Sequence, residues 1–170
     1  MSTYWVFVQA IGLLAMFFDV YATTHKNDKK LIIFNTLGNF TFSLHFLLLG
    51  ALPGAASEFI GGLRAFLSLF LKEQKTGRYI SFIFILFYVV MMFVTVNTAI
   101  DTLPLLSGIC ITIALYFLSG IQMRLCFFIS ILLWMIYAIY TISVGGIILC
   151  SIMLCTTSIT IIRLLREKTA

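Results

Sequence analysis

The sequence predicts an all-α membrane protein with seven transmembrane helices, arranged as two parallel three-helix units joined by a linking helix. Three observations predict this fold: the composition, the length of the apolar segments and the distribution of the basic residues. Of 170 residues, 62% are hydrophobic and only 10% are charged, and the mean hydropathy is +1.12. Soluble domains carry about 25% charged residues. This chain therefore lacks the polar residues that a water-facing surface requires.

The apolar segments are long enough for helices that cross a bilayer, which takes about 20 residues each. Transmembrane strands alternate apolar and polar side chains over about 10 residues, whereas residues 80–96 are apolar at both even and odd positions. We therefore predict helices rather than strands. The predicted helices are Thr3–Thr23, Leu31–Ala51, Ala55–Leu71, Tyr79–Thr98, Pro104–Gly120, Leu125–Ser143 and Ile147–Leu164.

Charged loops and turn-forming residues separate these helices. The first and third helices end at the lysine-containing loops 25–30 and 72–78. Turns are predicted at 52–54 after the second helix and at Gly145–Gly146 after the sixth, because proline and glycine favour turns. Pro104 suits the first turn of the fifth helix, where its missing N–H is tolerated.

The basic residues set both the helix count and the orientation. With seven helices, ten of the eleven Lys and Arg residues lie in the loops after the first, third and fifth helices or in the C-terminal tail. The exception, Arg64, lies inside the third helix, and the opposite loops carry only Asp101. Loops rich in Lys and Arg stay in the cytoplasm. The N-terminus is therefore predicted outside and the C-terminus in the cytoplasm.

A weak internal repeat predicts how the helices are grouped. An offset of 92 residues aligns His45 with Tyr137, and the Pro53–Gly54 pair with Gly145–Gly146. Because a single helix separates the two halves, they have the same orientation, as in the parallel repeat of SWEET carriers. The predicted parts are the first three-helix unit 1–78, the linking helix 79–101 and the second three-helix unit 102–170.

Short motifs in the first half resemble the YgjV family of small bacterial inner-membrane proteins. They are Gln9-x-x-Gly12, the basic first loop, and the run Leu44–Gly50 followed by Gly54 and then Arg64. The family is grouped with the SWEET and PQ-loop carriers. The resemblance therefore implies a multi-pass protein of the bacterial inner membrane that carries a small solute.

Polar residues inside the predicted helices are the candidate functional residues, because they cost free energy at membrane depth unless they are paired or hydrated. With a rise of about 1.5 Å per residue, Asn39 and Arg64 lie near the membrane centre, and the other polar residues match in depth between neighbouring helices. This pattern predicts a connected polar track. The predicted substrate-binding residues are Asn35, Asn39, Arg64, Trp134 and Tyr137, and the predicted polar network comprises Asp19, His45 and Glu58.

Each of these residues has a functional and a structural interpretation. Arg64 would bind an anionic group or pair with Glu58. His45 could carry a proton near neutral pH, and it is predicted to contact Glu58. Trp134 and Tyr137 share one helix face and could stack a sugar or an aromatic solute. Alternatively, the polar residues only tie the helices together, and the aromatic residues anchor the chain at the lipid interface.

The sequence indicates a carrier rather than an enzyme. It contains no recognisable nucleophile–base set, phosphate loop or metal cluster, and its four cysteines lie within apolar segments, so no cofactor, metal site or disulfide is expected. The predicted function is a small carrier or facilitator for a polar metabolite, working by alternating access between the two units. The alternative is a non-transporting structural or accessory membrane protein, and a membrane enzyme is a more distant class. The expected partners are the lipid bilayer and a small polar solute, without nucleic acid, and a homo-oligomer is left open.

Overall fold

The computed structural model describes residues 3–23, 28–70 and 74–169, and these residues form seven α-helices and one short 3-10 helix, with no strand among them. The helices are α1 (Thr3–Thr23), α2 (Asp28–Leu48), α3 (Leu52–Ser68), α4 (Gln74–Thr95), the 3-10 helix (Ala99–Asp101), α5 (Thr102–Phe117), α6 (Gly120–Tyr140) and α7 (Val144–Thr169). The predicted all-α fold with seven helices is confirmed.

The helices present the surface expected of a membrane protein. Within the described residues, five helical segments are long and apolar enough to cross a membrane: α1, α2, α6, α7, and α5 together with the 3-10 helix that precedes it. The apolar part of α4, Tyr79–Thr95, is shorter, and α3 has 17 residues. Large apolar side chains point away from the bundle, with Phe93 85% exposed. Such a surface suits contact with lipid, whereas a water-soluble monomer rarely exposes it.

The predicted helix starts need correction in every helix except the first. α1 has the predicted bounds, whereas the other six begin two to five residues earlier than predicted. Lys29 and Lys30 lie in α2, and Arg124 lies in α6, because these good helix formers continue a helix into the headgroup region, where charge is tolerated. Residues 24–27 and 71–73 of the predicted loops lie outside the described residues.

The predicted turn at 52–54 is wrong, because those residues open α3. Pro53 occupies the first turn of that helix, where a proline is tolerated. The chain reverses at Leu49–Gly50, just before α3, with Gly50 at a φ of +74°, a backbone conformation that favours glycine.

The predicted turn at Gly145–Gly146 is also displaced. Both glycines lie in the first turn of α7, and the chain reverses at Thr141–Ser143 instead. A side chain at Gly145 would overlap the backbone of Gly12 in α1. Gly145 is therefore needed for a close contact between two helices. The turn itself places Ile142 at a φ of 53°, which is rare for a β-branched residue.

Three connections meet at one end of the bundle, which we call the turn end. The α2–α3, α4–α5 and α6–α7 connections line a common surface cavity of about 480 Å³ that includes Gly50, Asn97 and Thr141. The α5–α6 connection lies at the opposite end, together with Lys30 near the start of α2 and Arg124 near the start of α6, and we call this end the basic end.

Neighbouring helices along the chain pack together, and two seams join the two halves. α2 packs against α1 and α3, and α6 packs against α5 and α7. Across the middle, α1 contacts α7 and α3 contacts α5, while α4 packs against α3 and α5. One buried apolar cluster includes Phe42, Phe46 and Tyr137, and a second includes Tyr88 and Leu105. The grouping into two three-helix units and a linking helix stays a prediction.

Candidate functional site

A cavity of about 430 Å³ lies between the first three and the last three helices. A volume of about 300–1,000 Å³ is usual for a site that binds a small molecule. Its polar lining comes from both halves of the chain. The polar lining residues are Asp19 of α1, Asn35 and Asn39 of α2, Glu58 of α3, Ser130 and Trp134 of α6, and Cys150 and Thr156 of α7.

The cavity collects five of the eight residues that the sequence singles out, from both predicted groups. They are Asp19, Asn35, Asn39, Glu58 and Trp134. The remaining three, Arg64, His45 and Tyr137, do not line it, and each bonds to another part of the bundle. The sequence therefore identified much of the polar lining, but it did not separate the lining residues from the residues that join helices.

A short hydrogen-bonded chain runs along the wall formed by α1 and α2. The side-chain amide of Asn39 donates to the backbone oxygen of Asn35 (2.7 Å) and to its side-chain oxygen (3.2 Å). Asn35 Nδ2 in turn donates to Asp19 Oδ1 at 3.2 Å. The Asp19 carboxylate lies against Gly38, where any side chain would overlap it. These three residues form part of the predicted polar track.

Glu58 lines the same cavity from α3. No hydrogen-bond donor to its carboxylate is found within residues 3–23, 28–70 and 74–169, although it interacts electrostatically with Asp19 and Arg64. An ionised carboxylate at membrane depth is costly unless a charge or water compensates it. Glu58 is therefore the lining residue with the most unused bonding capacity.

Arg64 points from α3 toward α5. Its Nη1 donates to Thr112 Oγ1 at 2.5 Å and approaches the Gly108 carbonyl at 3.5 Å. The guanidinium therefore points into the helix bundle, among oxygen acceptors. Within the described chain, the acceptors are these uncharged α5 oxygens, and Glu58 forms no close ion pair with it. A smaller cavity of about 160 Å³ lies beside Arg64 and shares Asn35 with the larger one.

His45 is fully buried and joins three helices. Its Nδ1 lies 2.9 Å from the Val8 carbonyl of α1, and its Nε2 lies 2.8 Å from Ser143 Oγ at the start of α7. The predicted contact with Glu58, direct or through one water, is not among these bonds, because the two ring nitrogens bond to α1 and to the α6–α7 connection. Gly12 leaves the room that the imidazole ring needs.

Tyr137 is also fully buried, and it reaches the other half of the chain. The backbone N–H of Gly54, in the first turn of α3, donates to Tyr137 Oη at 3.1 Å. The ring packs against Phe46 and Trp134, with centroid distances of 5.7 and 5.9 Å. Of the predicted aromatic pair, Trp134 lines the large cavity, whereas Tyr137 borders the surface cavity at the turn end.

Gln9 is a structurally important residue for which the sequence analysis assigned no role. Its Nε2 donates to the Ile142 carbonyl at 2.8 Å, and its Oε1 accepts from the Val144 N–H at 3.0 Å. The criterion used for Asp19, a polar residue inside an apolar helix, would have found it. The cavity residues Phe42 and Phe46 carry no such signal, because the chain contains 17 phenylalanines.

Comparison with known proteins agrees with this architecture. A family model described as a bacterial inner membrane protein, Imp-YgjV, matches residues 6–168. The inner membrane protein YgjV of Escherichia coli K12 is 24% identical over 168 residues, which cover 99% of this chain and 89% of that protein. No solved structure matches. Because the family model covers nearly the whole chain and several helices can cross a membrane, this multi-pass protein belongs to the Imp-YgjV family of bacterial inner membrane proteins.

Proposed function

We propose that this protein is a small carrier or facilitator for a polar metabolite. It would work by alternating access between the units 1–78 and 102–170, with 79–101 as the linking helix. The observation that carries the proposal is the cavity of about 430 Å³ whose wall is shared by both units and contains polar residues at membrane depth. A bundle whose polar residues serve only packing gains nothing from such a void, because unfilled volume lowers stability.

Contacts between the two halves support a parallel repeat. His45 of α2 reaches the start of α7, and Tyr137 of α6 reaches the start of α3. These two residues are equivalent under the 92-residue offset. The seams correspond as well: α1 meets α7 at Gly145, and α3 meets α5 where Ser57 Oγ donates to the Pro104 carbonyl at 2.7 Å. Two such units can rock against each other around a shared site.

The proposed orientation places the basic end in the cytoplasm and the turn end outside. The test uses single cysteines in a chain whose four native cysteines are replaced by serine. A membrane-impermeant maleimide added to intact cells should label Asn97→Cys at the turn end and should leave Ser119→Cys unlabelled until the cells are opened. The reverse pattern would invert the topology, and with it the direction in which the cavity faces.

Transport is tested with purified protein in liposomes that are offered a mixture of polar metabolites. Wild type should admit at least one solute in a saturable manner, above the rate of protein-free liposomes. Asn39→Ala should slow this uptake about tenfold or more, because the substitution removes a polar group from the cavity. Asn97→Ala is the matched control, since it removes an exposed asparagine from the turn end.

Two results would reject the carrier proposal. One is that no solute enters above background although the reconstituted protein is monodisperse and helical. The other is that Asn39→Ala and Asn97→Ala slow uptake equally. The first result favours the accessory role, in which the polar residues only hold the helices together.

A further inference from the structure

In the described part of the chain, the lining of the large cavity contains acidic side chains but no basic ones. Two acidic side chains, Asp19 and Glu58, line it from the first unit, and the lining includes no lysine or arginine from the part of the chain that the structure describes. Both carboxylates lie on helices of a membrane protein, where charge is expensive. Some positive partner is therefore needed when both are ionised.

The protein supplies too few hydrogen-bond donors and positive groups to compensate both carboxylates when they are ionised. Asp19 receives one hydrogen bond, from the uncharged amide of Asn35, and no donor to Glu58 is found in the described ranges. Arg64 interacts electrostatically with Glu58, but its hydrogen bonds go to Thr112 and Gly108 on α5. When both carboxylates are ionised, the single guanidinium of Arg64 leaves one of the two negative charges without a counter-charge.

The lining of the cavity is also aromatic. Phe42 and Phe46 of α2 and Trp134 of α6 line it, and the rings of Phe46 and Trp134 lie 5.4 Å apart. An aromatic face attracts a cation within about 6 Å of the ring centroid, and tryptophan does so most strongly. The rings also offer apolar area to a carbon skeleton. Acidic groups and aromatic rings that line one cavity complement a small organic cation.

We propose that the substrate class of this carrier is a small organic monocation, such as a primary or quaternary amine. Its ammonium group would lie between Glu58 and Asp19, and its carbon skeleton would lie against Trp134 and Phe46. This inference rests on the proposed function, because it names the solute of the same cavity. It also replaces the sequence-based expectation that Arg64 binds an anion.

Three other kinds of occupant would interact with fewer of the residues that line the cavity. A proton would neutralise one carboxylate, but it would not use the aromatic rings or the volume. An alkali-metal ion would use oxygen ligands such as those of Asp19, Asn35 and Glu58, but it would leave the aromatic rings of the lining without a partner. An anionic solute would face two carboxylates across the cavity. Each of these occupants is an outcome of the experiment below.

The test is a binding measurement on purified protein in lipid nanodiscs. In a Trp5→Phe background, Trp134 is the only tryptophan, so its fluorescence reports on the cavity. Three probes have a phenyl ring on a short carbon chain and differ in charge. 2-Phenylethylammonium is a cation, 2-phenylethanol is neutral and phenylacetate is an anion. The ammonium compound should bind about tenfold more tightly than the alcohol, and phenylacetate should bind more weakly still. Tetramethylammonium should compete with 2-phenylethylammonium for the site, whereas sodium or potassium chloride at equal ionic strength should not.

Variants then assign the binding to the two carboxylates. Glu58→Gln should weaken the ammonium probe about tenfold or more and leave the alcohol unchanged. Asp19→Asn is a second variant that retains a side chain able to bond Asn35. Asp101→Asn is the matched control, because it removes a carboxylate at the turn end, outside the cavity. Circular dichroism and size-exclusion profiles show whether each variant is folded.

The outcomes separate this inference from the carrier proposal. Equal binding of the charged and neutral probes, preference for phenylacetate, displacement by alkali cations alone, or no binding of any probe would each overturn the organic-cation assignment. Uptake of another metabolite into liposomes would leave the carrier standing in all of these cases. Conversely, charge-selective binding without any flux of the ammonium probe into liposomes would support the site and reject the carrier.

Discussion

The turn end and the large cavity use similar polar residues in opposite ways. At the turn end, Gln9, His45 and Tyr137 each bond to a backbone or hydroxyl group of the other half of the chain. Around the cavity, Asp19 and Asn35 bond within the first half, and Glu58 keeps bonding capacity for something else. Membrane depth alone does not distinguish these roles. The difference lies in whether a polar side chain already has its partner in the opposite half.

The largest loss of stability at the turn end is expected from a substitution that forces α1 and α7 apart. A Gly145→Ala substitution would place its Cβ on the backbone of Gly12, which cannot move aside as a flexible side chain can. We expect a loss of about 3 kcal/mol or more in unfolding free energy. Detergent-titrated unfolding followed by circular dichroism measures it.

The control is Gly77→Ala, whose Cβ would lie 3.1 Å from a ring atom of Tyr116. Alanine is favoured over glycine in a helix by about 1 kcal/mol, so this variant should be nearly neutral. Equal stability of the two variants would show that the α1–α7 seam is not tightly packed.

A smaller effect is expected from His45→Phe, which keeps a ring but removes both nitrogens. The variant loses the two buried hydrogen bonds to Val8 and Ser143. We expect a cost of about 1–3 kcal/mol, because the abandoned partners are buried. Tyr4→Phe is the control, since it removes one exposed bond to the Leu48 carbonyl within the first half. If both variants unfold at the same detergent fraction, His45 does not hold the halves together.

Loosening the turn end without unfolding it should change access to the cavity. Cys150 lines the cavity and is 7% exposed, so it is a natural probe once the other three cysteines are replaced by serine. Gln9→Leu removes the bonds to Ile142 and Val144, worth about 1–2 kcal/mol together. Labelling of Cys150 by an impermeant reagent from the turn-end side should then accelerate about fivefold. An unchanged rate would mean that Gln9 does not control this entrance.

The smallest change in stability is expected at Arg64, which lies neither at the turn end nor in the lining of the large cavity. A double-mutant cycle of Arg64→Gln and Thr112→Val isolates the bond between Nη1 and Oγ1. Polar contacts between transmembrane helices average about 0.6 kcal/mol and reach about 1.7 kcal/mol, and the coupling energy should fall in this range. A coupling energy near zero would show that partners other than Thr112 stabilise the Arg64 guanidinium.

Composition and charge were sufficient to predict the helix count, because about 20 apolar residues per crossing leave little choice. Helix starts were less predictable. Pro53 and Gly145 are typical of turns, yet each lies in the first turn of a helix, and Gly145 there contacts the backbone of Gly12. The membrane depth estimated along each predicted helix identified the polar residues of the first half. It could not give their direction around the helix axis, so His45 was paired with Glu58 instead of Ser143.

The bonds made by Gln9 span 133 and 135 residues, almost the full length of the chain. During synthesis, at about 5–20 residues per second, α1 leaves the ribosome roughly 7–27 seconds before the α6–α7 connection exists. Throughout that interval the side-chain amide of Gln9 on α1 lacks both of these partners. A chain truncated before residue 142 lacks them permanently.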